Sequence, residues 1–417
     1  MTAPPHPAAS VFTPVLVAGS LILLVGFAVR SAFGVFQIPI AEEYGWPRSA
    51  FSLAIAIQNL AWGFGQPVFG AIAERFGDRR AIMLGGMFYA AGLFASSLAV
   101  TPGAHHLLEI VVGFGIAGMG FGVVLAVVGR AAAPESRSMA LGVVTAVGSA
   151  GQMVGPPLAE GLLAVYPWQT VFVIFAVLIL LSLAVLPMMA APERASRAEL
   201  EESMGTVLTR AFRDPSYTLI FLGFFSCGYQ LAFVTAHFPA FVTEMCGPIA
   251  PHSLLANIGV TTTSALGAVA ISVIGLANIG GSLMAGWLGS RFTKKYLLAG
   301  IYFARALVCA IFILFPMTPA TVLLFAALMG SLWLATIPLT SGLVAHIYGL
   351  RYMGTLYGVI FLSHQLGSFL GVWLGGRMYD AYGSYTAVWW IGIAISVFSA
   401  LVHLPVRERP LAGVPAE

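Results

Sequence analysis

Two arginines, Arg30 and Arg305, lie inside long apolar runs of the sequence, and we identify no aspartate or glutamate at comparable depth in these runs. A charged side chain at the centre of a bilayer costs several kcal/mol even on lenient scales, so it usually faces a partner or a watery cavity. A guanidinium presents its N–H donors in a planar fork that fits a carboxylate. Two buried cations without protein anions therefore favour a carrier whose substrate supplies the anion.

Other polar side chains in apolar runs could complete a binding site. Gln58 and Asn59 are consecutive in one run, Tyr229 lies in another, and His364 and Gln365 are consecutive in a third. Amides and a phenol can donate hydrogen bonds to an anion, and an imidazole changes charge between about pH 5 and 8. We interpret these residues, together with the two arginines, as the substrate-binding set, and the histidine as the candidate for proton coupling.

Each of these residues also has a structural interpretation. An arginine can bond backbone carbonyls at a helix break, which is the alternative for Arg30, and Arg305 can brace neighbouring helices. Amides inside a membrane can join helices to one another for modest energies. His364 can be a neutral, packed side chain.

Four acids fall near the ends of apolar runs, and we interpret them as residues of the membrane interface: Glu109, Glu160, Glu244 and Asp380. Asp380 has Arg377 three positions before it as a possible ionic partner. Because this interpretation leaves no acid at the midplane, proton symport is the weaker of the two coupling modes that we consider. The other is anion exchange.

Composition defines the class of protein. The 417 residues are 59% hydrophobic and 8% charged, with a mean hydropathy of +0.93, whereas soluble domains carry about 25% charged residues. The net charge of +3 gives no basis for nucleic-acid binding, and the three cysteines lack metal-type spacing. No nucleophile-elbow, zinc-protease or P-loop motif occurs in the sequence. We therefore predict an all-α membrane protein that is not an enzyme and has no cofactor or metal.

Runs of about 20 apolar residues are needed to cross a bilayer core. The sequence contains twelve such runs, at 12–38, 50–72, 81–101, 105–129, 138–164, 168–190, 216–243, 264–288, 295–316, 320–346, 354–380 and 384–405. The longest polar interruption separates the sixth from the seventh. We therefore predict two six-helix bundles, 1–191 and 216–417, joined by a linker at 192–215.

The positions of the cations predict the orientation. If both termini and the linker are cytoplasmic, 15 of the 19 Lys and Arg residues fall in cytoplasmic segments. The four exceptions are Arg30, Arg48, Arg305 and Arg377. Such asymmetry follows the positive-inside rule. We therefore expect a multi-pass protein of the cytoplasmic membrane whose N-terminal residues form a short tail before an uncleaved first span.

The two halves repeat at a constant spacing of 216 positions, which separates Arg75 from Arg291. Three glycines of the fifth run have counterparts in the eleventh at the same spacing: Gly142, Gly151 and Gly155 match Gly358, Gly367 and Gly371. Six spans keep the second half in the same orientation as the first. A parallel, pseudo-symmetric repeat of six helices is therefore expected.

These segments resemble a known family. Segment 70–80 is similar to the G-x-x-x-D-R-x-G-x-R-R loop of the major facilitator superfamily, with Glu74 at the position of the motif's aspartate. Gly151-x-x-x-Gly155-Pro156 is similar to the glycine motif of its fifth helix. The resemblance covers nearly the whole chain and implies transport by alternating access.

Within that family, segments 42–52 and 383–385 resemble the monocarboxylate transporter and oxalate/formate antiporter branch. Arg30 falls where many of its members have a lysine that meets the substrate or the proton. Ser282 occupies the position of the branch's usual carboxylate-anchoring arginine, and Asn278 stands where some members have aspartate. The resemblance implies an organic anion as cargo and leaves its anchor open.

The resemblance also implies a cytoplasmic gate made by the charged loops that follow the second and eighth spans. In this chain the gating residues are Glu74, Arg75, Asp78, Arg79 and Arg291.

The leading hypothesis is a monomeric secondary transporter of a small carboxylate, coupled to H⁺ or to a counter-anion, with Arg30 as anchor. An exporter of drugs or other amphipathic compounds is the alternative, although such antiporters commonly use buried acids. A membrane sensor that does not transport is the third hypothesis.

Overall fold

The computed structural model describes residues 13–132, 137–189, 204–348 and 353–410, and within these ranges the regular structure is helical. The long helical segments are α1 (Pro14–Tyr44), α2 (Arg48–Phe76), α3 (Asp78–Ser96), α4 (Pro102–Ala131), α5 (Arg137–Leu163), α6 (Trp168–Met188), α7 (Pro215–Met245), α8 (Thr263–Gly289), α9 (Lys294–Leu314), α10 (Pro319–Tyr348), α11 (Met353–Tyr382) and α12 (Thr386–His403). Two short helices, Met204–Arg213 and Leu254–Asn257, lie in the connections.

Nine of these segments in the described residues are long and apolar enough to cross a membrane. The other three, α2, α3 and α5, have 29, 19 and 27 residues. The prediction of an all-α membrane protein is confirmed. The finer prediction of twelve spans in two pseudo-symmetric bundles stays a prediction.

α9 shows how one helix divides its faces between the protein and the lipid. Phe303, Leu307 and Ile311 follow one another at every fourth position and are 58%, 52% and 49% exposed. Tyr302 and Arg305, on the other side, are both fully buried. An apolar exposed stripe at helical spacing is what a lipid-facing surface requires, because the polar groups then have to turn inward.

The buried apolar side chains of the described residues form two clusters. One draws most of its members from residues 15–189, and the other lies within residues 211–406. The division into the domains 1–191 and 216–417 stays a prediction, and most of the linker 192–215 lies outside the described residues.

The repeated glycines bring helices together in the same way in both clusters. An added Cβ at Gly151 of α5 would lie 3.0 Å from the backbone nitrogen of Ala28 in α1. An added Cβ at Gly367 of α11 would lie 3.0 Å from the backbone nitrogen of Tyr229 in α7. A side chain at either position would force the helices apart, so these glycines permit the α1–α5 and α7–α11 contacts.

Two helices are interrupted near the candidate residues. α1 passes through a 3₁₀ turn at Phe33–Phe36, directly after the segment that carries Arg30. α10 is broken between Leu332 and Thr336. We name the two ends of the bundle by α2 and α3: the Arg48 end, where α2 begins, and the Arg79 end, where α3 begins.

Candidate functional site

Arg30 is the centre of the candidate site. Its Nη2 donates to Oδ1 of Asn59 at 3.2 Å, and its Cζ lies 4.7 Å from the centre of the Trp62 ring. The Nε atom is buried and has no hydrogen-bond partner in the described residues. The neutral Asn59 amide and the aromatic face hold the cation without neutralising it, which leaves donor capacity for a ligand.

The backbone of α2 fixes the orientation of Asn59. Its Nδ2 donates to the carbonyl of Ile55 at 2.8 Å, so its Oδ1 is turned towards Arg30. Trp62 is held in turn by a hydrogen bond from its Nε1 to Oε1 of Gln66 at 2.9 Å. Both partners of the guanidinium are therefore positioned by contacts within α2.

A small cavity lies beside this guanidinium, between α1, α2 and α7. Its lining consists of Arg30, Phe33, Gly34, Ile55, Gln58, Asn59, Ala232, Thr235 and Ala236. α7 contributes only small side chains to this lining. The cavity therefore lies where N-terminal and C-terminal helices meet, which is the position required of a site that both sides of a membrane reach in turn.

His364 and Gln365 form a second polar group on α11. His364 Nδ1 lies 3.1 Å from Oε1 of Gln365, and the hydroxyl of Ser368 donates to the same oxygen at 3.2 Å. Because an amide oxygen only accepts, this contact assigns the imidazole proton to Nδ1. The Gln365 Nε2 donor is buried and has no partner in the described residues.

Aromatic rings connect the two polar groups. The Trp62 ring meets the Phe361 ring edge-on at 5.2 Å, and Phe361 stacks on His364 at 5.5 Å with 9° between the planes. An added Cβ at Gly63 would lie 2.9 Å from Cβ of Gln365, so α2 and α11 are in close contact here. Five of the predicted residues thus lie along one route: Arg30, Gln58, Asn59, His364 and Gln365.

The other two predicted residues lie elsewhere. Tyr229 donates to the carbonyl of Val388 at 3.2 Å. The Arg305 guanidinium donates to the carbonyls of Leu332 and Trp333, with Nε at 3.1 Å from the former. These carbonyls lie at the break in α10 and have no helical partner. Arg305 therefore bonds backbone carbonyls at a helix break, which is the structural role that the sequence suggested as the alternative for Arg30.

Asn278 also stabilises this break. Its Oδ1 accepts from the backbone N–H of Leu334 at 2.9 Å and from Oγ of Ser282 at 3.1 Å. Its Nδ2 donates to Ser149 of α5 at 3.2 Å. The two positions at which the sequence departs from the family branch thus hydrogen-bond to each other.

Glu109 is an acid whose burial was not expected from the sequence. It is 0% exposed, and its Oε2 accepts from Nε2 of Gln58 at 2.6 Å. It lies about 10 Å along α4 from the helix start at Pro102, and its position at the membrane interface stays a prediction. A signal was present in the sequence: His105 precedes Glu109 by four positions, which places both side chains on one helix face.

Asp380 binds partners other than Arg377, which the sequence offered as a possible ionic partner. Asp380 accepts the backbone N–H groups of Arg48 and Ser49, both at 2.9 Å. It therefore caps the first turn of α2 from α11. This contact joins an N-terminal to a C-terminal helix.

The Arg48 side chain adds three contacts to that junction. It forms an ion pair with Glu244 of α7, donates to the hydroxyl of Tyr385 at 3.0 Å and lies 3.9 Å from the centre of the Tyr379 ring. The two segments that resemble the monocarboxylate branch, 42–52 and 383–385, therefore meet at the Arg48 end.

Further polar contacts close this end. Gln37 Nε2 lies 3.1 Å from Nδ1 of His237, whose Nε2 lies 2.8 Å from the carbonyl of Val372. Since a carbonyl only accepts, His237 donates from Nε2 and accepts from Gln37. Ser264 of α8 donates to Glu160 of α5 at 2.9 Å, so Glu160 too binds a partner across the bundle.

The loops at the Arg79 end make contacts among neighbouring helices. Arg79 donates to the carbonyls of Met189 and Pro187 at 3.0 and 2.7 Å, and Asp78 pairs with Arg130. Arg75 lies 5.5 Å from the centre of the Phe76 ring that follows it.

The corresponding loop of the second repeat behaves similarly. Arg291 lies 4.0 Å from the Trp287 ring centre, and Glu408 accepts the backbone N–H groups of Lys294 and Lys295, both at 3.1 Å. The side chain of Glu74 lies outside the described residues. These contacts of the two loops each join residues of the same repeat.

The described part of the chain contains no group of three or more His, Cys, Asp or Glu side chains placed to hold a metal ion.

Similar proteins were found by sequence. The chain is 24% identical to the uncharacterized MFS-type transporter YcxA of Bacillus subtilis, over 90% of each chain. It is 25% identical to monocarboxylate transporter 13 of Bos taurus, over 87% of this chain and 81% of that protein. Monocarboxylate transporter 12 of Homo sapiens is 23% identical over 89% of this chain and 74% of its own length.

Solved structures have the same fold. A D-xylose–proton symporter superimposes with a TM-score of 0.67 at 16% identity, covering 96% of this chain and 97% of its own. A bacterial homolog of the human lysosomal transporter Spinster, in an inward-facing and occupied conformation, gives 0.68 at 16% identity, covering 94% and 96%.

The family model of the Major Facilitator Superfamily matches residues 19–372 and, in a second match, 240–417. The relatives are transporters, so the expectations of a multi-pass membrane protein, of a small-molecule substrate and of a carrier rather than an enzyme are confirmed. With the long apolar helices and the repeated glycine contacts, these matches identify the chain as a member of the Major Facilitator Superfamily of membrane transporters.

Proposed function

We propose that the protein is a secondary active transporter of a small carboxylate, with Arg30 as the anion anchor. The observation that carries the proposal is the setting of Arg30. Its guanidinium borders a cavity between N-terminal and C-terminal helices, its side-chain hydrogen bond goes to a neutral amide, and its buried Nε has no partner among the described residues. A half-buried cation in this setting is stabilised by an anionic ligand, and a carboxylate matches the planar fork of donors.

The remaining residues of the route have distinct roles in this proposal. Asn59 and Trp62 position the guanidinium, and Gln58 forms the wall beside it. Phe361 lies between His364 and Trp62 and so connects His364 and Gln365 to the Arg30 site. The free amide donor of Gln365 contacts the cargo when the cavity widens. Tyr229 and Arg305 shape the C-terminal helices without contacting the cargo. The sequence likeness to monocarboxylate transporters 12 and 13 supports a carboxylate cargo.

The proposed topology has twelve spans in two six-helix halves, with both termini and the linker 192–215 in the cytoplasm. The Arg48 end then faces the outside, where contacts between N-terminal and C-terminal helices close the bundle. The loops at the Arg79 end bind within their own repeats. These contacts belong to an inward-facing state. When the carrier opens outward, the two halves meet through the gating residues Glu74, Arg75, Asp78, Arg79 and Arg291.

The proposal is tested by ligand binding and transport with three variants. Purified protein is screened by thermal shift against acetate, L-lactate, pyruvate, oxalate and succinate, because a ligand of the native state raises its apparent stability. Hits are then measured as uptake into liposomes. Arg30→Ala is expected to abolish saturable binding, and Arg30→Lys to keep the charge but bind more weakly, since it loses the bidentate fork.

Arg377→Ala is the matched control, because Arg377 is an exposed arginine at the Arg48 end that does not line the cavity. It should bind and transport like the unmodified protein. If Arg30→Ala folds and binds the carboxylate with unchanged affinity, Arg30 is not the anchor. If no carboxylate stabilises or crosses, the proposed substrate class is wrong.

The buried Glu109 favours one second candidate, export of cationic or amphipathic compounds, because a buried acid can attract a cation. Charge selectivity separates the two functions. Competition of uptake by organic cations and not by carboxylates would support the exporter.

A further inference from the structure

A buried polar group lies directly behind the Arg30 cavity. It consists of Gln58 on α2 and of His105 and Glu109 on α4, which are 2%, 1% and 0% exposed. Gln58 Nε2 donates to Oε2 of Glu109 at 2.6 Å, and His105 Nε2 lies 3.8 Å from Oε1 of Glu109. Since Gln58 also lines the cavity, the acid is separated from the ligand space by one amide side chain.

The group has unused capacity to bind a proton. Oε1 of Glu109 and both ring nitrogens of His105 are buried and have no hydrogen-bond partner in the described residues. An isolated ionised carboxylate in an apolar interior is strongly unfavourable, and such a group tends to take up a proton instead. A proton on Glu109 Oε1, or on His105 beside the carboxylate, removes the net charge of the pair.

The surroundings of the pair are mostly apolar rings. The His105 ring lies 6.0 Å from the ring of Trp46, 6.1 Å from that of Phe51 and 6.4 Å from that of Phe172. These rings come from the connection before α2, from α2 itself and from α6. They screen His105 from water and supply no charge.

Few titratable groups of the described residues face the pair. On α4 itself, His106 lies with Nε2 2.8 Å from the carbonyl of Ala50 and therefore donates there. On α3, the Tyr89 hydroxyl donates to the carbonyl of Gly26 at 3.3 Å and is close enough to both Arg30 and Glu109 to interact electrostatically with each. α1 contributes Arg30, and α2 contributes the neutral amides Gln58 and Asn59.

We propose that Glu109 and His105 form the proton-binding site of this carrier, and that the pair takes up one proton when a carboxylate binds Arg30. The inference rests on the proposed function. In the empty site, the positive charge of Arg30 favours the ionised form of Glu109 across the Gln58 amide. When the anionic cargo neutralises Arg30, this stabilisation of the Glu109 carboxylate is lost, and Glu109 takes a proton from water at Oε1. The proton returns to water when the cargo leaves, so the summed charge of Arg30, Glu109 and cargo stays zero and one proton accompanies each monocarboxylate.

Proton binding is tested first without any cargo. Infrared difference spectra of the purified full chain between acidic and alkaline buffer report the carbonyl stretch of a protonated carboxylic acid. The band is expected in the unmodified protein, lost in Glu109→Gln, and retained in the control Glu160→Gln, whose carboxyl is half-buried and bonded to Ser264. Absence of a titrating band in the unmodified protein, or its persistence in Glu109→Gln, overturns the proposal.

Coupling is then tested in liposomes with the carboxylate that gives the largest thermal shift. An imposed difference of one pH unit drives one-to-one symport to at most about tenfold accumulation. Glu109→Gln is expected to reach only equal concentrations while still exchanging labelled for unlabelled cargo. Tenfold accumulation by Glu109→Gln overturns the proposal.

Two further outcomes are informative. If Glu109→Gln loses exchange as well, accumulation is measured in His105→Asn as a function of pH. A shifted pH dependence of accumulation supports proton binding by Glu109 and His105, and an unchanged pH dependence overturns it. If the unmodified protein moves no carboxylate, the proposed function fails, while the infrared result still decides whether Glu109 binds a proton.

Discussion

Asp380→Ala should weaken the closure of the Arg48 end. Asp380 on α11 accepts the N–H groups of Arg48 and Ser49, both at 2.9 Å, and so caps α2 from the other repeat. Loss of an N-cap acceptor costs about 0.5–2 kcal/mol, and loss of the negative charge at a helix N-terminus adds about 0.3–1 kcal/mol. A loss of about 1–3 kcal/mol corresponds to roughly 5- to 150-fold more opening of this end.

Hydrogen–deuterium exchange with peptide resolution measures this opening in the purified protein. Exchange in the first turn of α2 and in the facing ends of α7 and α11 should accelerate in Asp380→Ala. Asp380→Asn should give a smaller effect, because its amide oxygen still accepts one N–H. Glu244→Gln should give the smallest effect, because a partly exposed ion pair contributes only about 0.2–1 kcal/mol.

Asp214→Ala is the matched control. Asp214 accepts the N–H of Ser216 at 3.0 Å and the hydroxyl of Tyr348 at 2.7 Å, so it caps α7 within the C-terminal helices. Its replacement should accelerate exchange at the start of α7 and leave the Arg48 end unchanged. If Asp380→Ala accelerates exchange only at Arg48 and Ser49, with no change in α7 or α11, the contact is a local cap and does not hold the end closed.

Three other variants test the remaining structural assignments. Arg305→Met leaves the carbonyls at the α10 break unpaired, so thermal unfolding should show a loss of about 2 kcal/mol or more of stability. The folded variant should keep its affinity for carboxylate. Lost affinity with unchanged stability would make Arg305 a ligand residue. Gly151→Ala should lower the unfolding midpoint because its Cβ meets the backbone of α1, whereas Gly142→Ala, with open space around it, should not; equal midpoints would contradict the close α1–α5 contact. Arg79→Ala removes two bonds to the end of α6 and should slow transport in liposomes far more than it weakens equilibrium binding, and an equal loss of both would exclude a gating role.

The sequence predicted the helices well where apolar length alone decides them. The seventh run, expected at 216–243, is the helix Pro215–Met245. The first, expected to end at residue 38, continues to Tyr44 through a 3₁₀ turn. Polar residues such as Glu42 and Glu43 do not by themselves end a helix that leaves the apolar layer, so hydropathy underestimates such extensions.

Long-range partners were not predictable from the sequence. Arg305 and Glu109 both lie in apolar runs, yet the first braces a helix break and the second lies behind the cavity. Pro338, in the first turn of the helix that resumes at Thr336, is a local signal for the break in α10. The sequence does not indicate that Arg305 binds the carbonyls freed there. The burial of Glu109 depends on where α2 and α3 cover α4, which a one-dimensional pattern does not contain.

α2 connects the parts of the proposed mechanism. Consecutive side chains on a helix point about 100° apart, so Asn59 reaches Arg30 on α1 while Gln58 reaches Glu109 on α4. The same helix begins at the Arg48 junction, and one turn beyond Asn59 it carries Trp62, which meets Phe361 of α11. A movement of α2 against α11 therefore alters the surroundings of the cation and of the acid together. This arrangement provides a physical route by which cargo binding, proton uptake and opening of the Arg48 end depend on one another, without a charged residue having to cross the membrane.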